Sequence, residues 1–145
     1  MAWELEEKYK YWFAALVDGE GWIGISRRKR RNGSLYLYPE LHIANTNLTL
    51  LLYAKSLWSS FQLTQRINKP PLKIGYRLKL HGTTKLIIFL QQITPYLIVK
   101  KAVAEEVINY CFLRINKRAL KYHVPYDNED LEMTYRVNKL NKRGT

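Results

Sequence analysis

Phe13-Ala14-Ala15-Leu16-Val17-Asp18-Gly19-Glu20-Gly21 closes the first apolar run of the chain with two acids interleaved with glycines. Upstream, Leu5, Tyr9, Trp12, Phe13 and Leu16 recur at helical spacing, which predicts a helix over residues 4–17. Ala14 and Ala15 are small enough for a second such helix to approach closely. Gly19 and Gly21 let the chain leave the helix tightly and expose a carbonyl. Glu20 then reaches solvent, where a carboxylate holds a hard divalent cation with water in the remaining positions.

Downstream of the acids the sequence changes to strand periodicity. Trp22 to Ser26 starts a first strand that feeds the run Arg27-Arg28-Lys29-Arg30-Arg31, and Asn32-Gly33 signals a turn into a second strand over residues 36–45. There Leu37, Leu41 and Ile43 share one face, and Tyr38, Glu40 and His42 the other. A second hairpin follows, with Thr64, Arg66 and Asn68 opposite Leu63, Gln65 and Ile67, a connection at Pro70-Pro71, and then Lys73, Gly75, Arg77 and Lys79 alternating with Ile74, Tyr76, Leu78 and Leu80. Each hairpin is basic on one face and apolar on the other, as a sheet packed on helices with one open surface requires. Further helices are predicted over 47–61, capped by Thr46 or Asn47, over 83–93, capped by Thr83 or Thr84 and ended by Pro95, over 99–118 and over 128–142. The order is α-β-β-α-β-β-α with two more C-terminal helices, an α+β class, and Tyr122 to Asp127 is the expected connector.

The 145 residues fit one domain, with a core of about residues 3–118 and a helical extension of about 119–145. With 47% hydrophobic residues the chain can bury a core, which excludes a disordered linker. Its 24 Lys and Arg against 12 Asp and Glu give a net charge of +12, and the excess is concentrated in the hairpins. Between Trp22 and His81 stand eleven cations and only Glu40 as an acid. A polyanionic partner is implied, and flat hydrophobic insertion residues for a membrane are lacking. The longest apolar stretch, Leu86 to Val99, is interrupted by Gln91, Gln92 and Pro95 and falls short of a membrane span. The opening residues resemble neither a secretory signal nor a transit peptide, so an intracellular compartment is expected. Cys111 stands alone, which leaves no intrachain disulfide and no thiolate zinc site.

The stretch 13–21 resembles the LAGLIDADG motif of the homing endonucleases, departing by Phe13 for Leu, Ala15 for Gly, Val17 for Ile, Gly19 for Ala and Glu20 for Asp. The two basic hairpins that follow at once strengthen the resemblance. It implies the αββαββα fold of that family, a saddle-shaped antiparallel sheet on helices, and a single-motif chain that acts as a homodimer. It further implies a site-specific double-strand DNA endonuclease, intron-encoded, acting on a long pseudo-palindromic site. Glu20 and the Gly19 carbonyl would be the metal ligands, for Mg2+ with Mn2+ as a substitute. Lys100, after Pro95-Tyr96-Leu97-Ile98-Val99, would polarise the attacking water, with Lys101 as the fallback, and Asn47 would order water. Phe13, Ala14, Ala15, Val17 and Asp18 would form the dimer seam, with Asp18 also supporting the helix and its turn. The open sheet face supplies the candidate DNA contacts Ser26, Arg28, Arg30, Tyr38, Glu40, His42, Thr64, Arg66, Asn68, Lys73, Arg77 and Lys79.

Two rivals share that scaffold: an RNA-binding maturase, for which the partner is intron RNA, and a DNA-binding protein that does not cut. Retention of Glu20 and Lys100 favours the nuclease. His42, His81 and His123 lack metal-ligand spacing, and no Ser-His-Asp set, GxxxxGK[ST] or GxGxxG loop is present, so nucleotide hydrolysis and dinucleotide binding are unsupported.

Overall fold

Four antiparallel strands, β1 (Gly21–Lys29), β2 (Leu35–Asn45), β3 (Gln62–Arg66) and β4 (Gly75–His81), form in the order β1-β2-β4-β3 the sheet of the computed structural model, which describes residues 3–66, 74–120 and 125–142. Along the chain run α1 (Glu7–Glu20), β1 (Gly21–Lys29), β2 (Leu35–Asn45), α2 (Leu48–Leu57), β3 (Gln62–Arg66), β4 (Gly75–His81), α3 (Thr83–Ile93), a 3-10 turn at Thr94–Tyr96, α4 (Lys101–Leu120) and α5 (Asn128–Lys142). This is the expected αββαββα order with two further helices. Asn68, Lys73, His123, the Pro70-Pro71 connection and part of the 122–127 connector lie outside the described residues. None of the described helices is long and apolar enough to cross a membrane.

The register explains the two faces. Ser26 pairs with Tyr38, Arg28 with Tyr36, His42 with Lys79 and Thr64 with Arg77, so these residues, drawn from all four strands, share one side. On the other side Ile23, Ile25, Leu37, Leu41, Ile43, Leu78 and Leu80 are buried. Helices cover that side, and Phe13 of α1 meets Phe61 and Phe89 with ring centroids 5.9 and 5.1 Å away. The β1–β2 turn uses Gly33 at φ 83°, a left-handed conformation that favours glycine, and Asn32 Oδ1 accepts from Ser34 N and Ser34 Oγ.

Helix boundaries differ from expectation: α1 begins at Glu7 rather than residue 4, α2 ends at Leu57 rather than residue 61, and two further differences bear on the site. α1 continues through Glu20, so Gly19 is helical and only Gly21 makes the exit. A Cβ on Gly21 would meet the Val17 carbonyl oxygen at 2.8 Å, which is why glycine stands there. α3 is preceded by Gly82 at φ 93° and has no side-chain cap; Thr83 lies in its first turn, and its hydroxyl accepts from Arg118.

The C-terminal helix is fastened by charge. Arg114 on α4 pairs with Asp130 on α5 at 3.3 Å, both buried, while the Arg114 guanidinium lies over the Tyr126 ring. Lys117 adds Asp127 and Asp130, and Asn141 donates to the Ile23 carbonyl of edge strand β1. Cys111 is buried among these helices, and burial pushes its thiol up to about 12 against the pull of the Arg118 charge.

Candidate active site and nucleic-acid interface

The motif acids separate into two environments. Asp18 accepts three backbone hydrogen bonds from the segment entering α4, from Ile98, Val99 and Lys100 at 2.8, 3.2 and 3.0 Å. Lys100 returns the connection, its Nζ donating to the Asp18 carbonyl at 2.7 Å. The lysine therefore sits, largely buried, at the C-terminal end of α1, where unpaired carbonyls and the helix dipole favour a cation. Lys101 is exposed and makes no such contact.

Glu20 is exposed and belongs to a pocket of about 410 Å3 lined by Glu20, Gly21, Trp22, Ser26, His42, Ala44 and Arg77. The end of α1 thus opens directly onto the polar sheet face, because β1 leaves Gly21 without a connecting loop. A metal ion fits the donors on offer. The Glu20 carboxylate and the Gly19 carbonyl, one of the helix-end carbonyls without an intrahelical partner, are hard oxygens of the kind magnesium takes. Among the described residues no group of three or more His, Cys, Asp or Glu could hold an ion.

On the sheet face, Glu40 is the point of convergence. It is 1% exposed, receives Ser26 Oγ and His42 Nε2 at 2.8 Å each, and pairs with Lys79 Nζ at 2.9 Å. Burial alone would raise its carboxyl; the hydrogen bonds from His42, Lys79 and Ser26 and the Lys79 charge outweigh it and hold the group at about 2. Trp22 lies across Gly24, where a Cβ would meet its ring at 2.3 Å, and packs against His42 with centroids 5.1 Å apart. Further along the hairpin Arg28 lies over the Tyr38 ring and Arg30 over Tyr36, with the two tyrosine rings 4.2 Å apart.

The expected site residues are therefore sorted by the structure. Ser26, His42 and Arg77 join Glu20 in the pocket, Arg28, Arg30 and Tyr38 lie along the hairpin, and Thr64, Arg66 and Lys79 share the same face on β3 and β4. Three expectations need correction. Glu40 is buried beneath its partners and has no surface for a base. Asn47 spends its side-chain oxygen capping α2, 3.1 Å from Leu50 N, and does not line the pocket. In the seam, Phe13, Ala14 and Val17 are core residues at 0, 2 and 0% exposure, so only Ala15 and Asp18 of that set retain surface for a partner. Trp22, Gly24 and Tyr36 were missing from the expected face, although the i, i+2 spacing Trp22-Gly24-Ser26-Arg28 carries the signal.

A four-stranded antiparallel sheet, polar and cationic on its open face, with a motif helix that delivers an acid to its middle, defines the class: the chain has the fold of the LAGLIDADG homing endonucleases. It superposes on the homing endonuclease I-CvuI in complex with its target with a TM-score of 0.75 and 20% identity, covering 92% of this chain and 82% of that one. The archaeal intron-encoded homing endonuclease I-Vdi141I complexed with DNA gives 0.74 and 20% over 97% of this chain and 89% of that one. The LAGLIDADG homing endonuclease I-GzeII in complex with its DNA target gives 0.66 and 15%, with 98% of this chain matching 45% of that one. No family model and no curated protein matches the sequence, so the fold carries the likeness.

Proposed function

We propose that the chain is a site-specific, double-strand DNA endonuclease that works as a homodimer with a divalent metal ion, Mg2+ by preference. The observation that carries this reading is the placement of an exposed carboxylate, Glu20, in a pocket on a cationic sheet face. A carboxylate against a phosphate backbone is unfavourable unless a cation lies between them. Glu20 and the Gly19 carbonyl would hold that ion, which activates water and stabilises the leaving oxygen when bound. Lys100 is positioned through Asp18 so that its charge lies at the same helix end. Fold neighbours in complex with DNA, one of them in the presence of Ca, support the same reading.

The dimer follows from what α1 leaves uncovered. Tyr11, Ala15 and Gly19 form an exposed stripe at i, i+4 spacing, flanked by Ile98 at 87% and Val99 at 53% exposure. A Cβ on Gly19 would meet nothing within 4 Å, so nothing in this chain requires glycine there, whereas a second helix crossing at close range does. Two copies bring two Glu20 carboxylates together, one for each strand of a pseudo-palindromic duplex.

Incubation with a randomised duplex pool, with and without Mg2+, tests the function. Glu20→Gln keeps shape and removes the charge, so binding by gel shift should stay near wild type while nicking is abolished. Near wild-type nicking by that variant removes Glu20 from the metal site, and metal-independent binding without cutting favours a DNA-binding protein.

A further inference from the structure

Arg77 differs from Arg28, Arg30 and Lys79 on the sheet face. Lys79 is paired with Glu40, while Arg28 and Arg30 rest on tyrosine rings. The Arg77 guanidinium has no hydrogen-bond or carboxylate partner among the described residues, and its Nε is buried with its donor unused. A buried donor left without an acceptor is costly, and a catalytic role is one of the explanations such a group admits. Arg77 also lines the pocket that holds Glu20. Its neighbours across the sheet are Ala44 on β2 and Thr64 on β3, both short, so the long side chain is not crowded by large ones.

From this geometry we infer that Arg77 is a catalytic residue that binds the non-bridging oxygens of the phosphate being cut, rather than a base reader. The inference rests on the endonuclease reading above and deepens it. Glu20 and Arg77 divide the work by sign: the carboxylate would hold the cation, and the guanidinium meets the phosphate oxygens with paired N–H donors. As hydrolysis proceeds, the water oxygen bonds to phosphorus while the P–O3′ bond breaks. The water's proton passes to solvent, and the 3′ oxygen takes a proton from solvent and leaves as a hydroxyl. Arg77 keeps its own proton throughout and supplies charge where the phosphorane becomes most negative.

The test uses a duplex that the wild-type protein selects and cuts from the randomised pool. Single-turnover cleavage in Mg2+, affinity in Ca2+ and the base-preference profile are measured for wild type, Arg77→Ala and Arg77→Lys. Arg77→Ala should slow the cleavage step about 100-fold, the loss typical of removing one such donor, with affinity within a few fold and an unchanged profile. Arg77→Lys should recover part of the rate, and the rate ratio is independent of any shared loss of stability. A changed preference at one base position with the rate preserved overturns the inference and makes Arg77 a base reader. A uniform loss of affinity with normal cleavage also overturns it. A wild-type protein that binds and never cuts overturns the endonuclease reading itself, a result distinct from either.

Discussion

Replacing Glu40 by Gln should convert a pH-dependent protein into a less pH-dependent one. The carboxyl is held at about 2 against an ordinary value of 4.5, and it is 1% exposed, so solvent screens its partners little. At 1.36 kcal/mol per unit, that gap corresponds to about 3 kcal/mol of stability. A depressed carboxyl contributes fully above its unfolded value, so the stabilisation is present at pH 7 and is lost as pH falls from 4.5 through about 2. Glutamine keeps one acceptor but turns an amide donor toward Lys79 and His42. Urea unfolding from pH 7 down to pH 2 should show wild type ahead by about 3 kcal/mol at neutrality, with the gap closing across that acid window. Parallel stability curves for the two proteins would refute the argument, because they would mean that the carboxylate charge is not what the three partners hold.

Two glycines two residues apart should behave oppositely. Gly19→Ala should raise monomer stability by roughly 0.5–1 kcal/mol through helix propensity and weaken self-association in sedimentation, whereas Gly21→Ala should destabilise the fold by about 1–3 kcal/mol as its Cβ meets the Val17 backbone. Arg114→Met should cost about 3 kcal/mol in thermal or urea unfolding by leaving buried Asp130 with Lys117 as its one remaining ion-pair partner beside the Asp127 N–H, and α5 should show faster amide exchange.

The sequence was most informative where a period persists. Alternation in β2 and β4 places each residue on its proper face, because a strand side chain has only two directions to choose from. It says nothing about depth, and Glu40 shows the consequence: an acid on the polar face proved to be a buried anchor for Ser26, His42 and Lys79. Helices are less forgiving, since one step along α1 turns the side chain by about 100°. Small size suggested that Ala14 and Ala15 face a partner together, yet Ala14 turns into the core with Phe13 and Val17 while Ala15 turns out. Asn47 carried two roles in the sequence, and the nearby Leu50 N–H claims its side chain for the helix cap. Gly82 escaped notice as the start of α3 because Thr83 and Thr84 offer the more familiar capping chemistry.

The connection between Asp18 and the segment 98–100 has a consequence for altering the protein's target. It joins the end of α1, with Glu20, to Lys100 without using any residue of the sheet. Among the described residues no hydrogen bond or ion pair joins Arg28, Arg30, Tyr36 or Tyr38 to that connection, so on the endonuclease reading the outer half-site should be open to rewriting while the cutting apparatus stays in place. Near the middle of the duplex this independence ends. Ser26 and His42 share walls with Glu20, so on the endonuclease reading a substitution there should alter recognition and rate in one stroke, whereas Arg77 should carry rate alone. Retargeting should therefore proceed from the hairpin tip inward, with the cutting rate measured at each step as the edits approach the pocket.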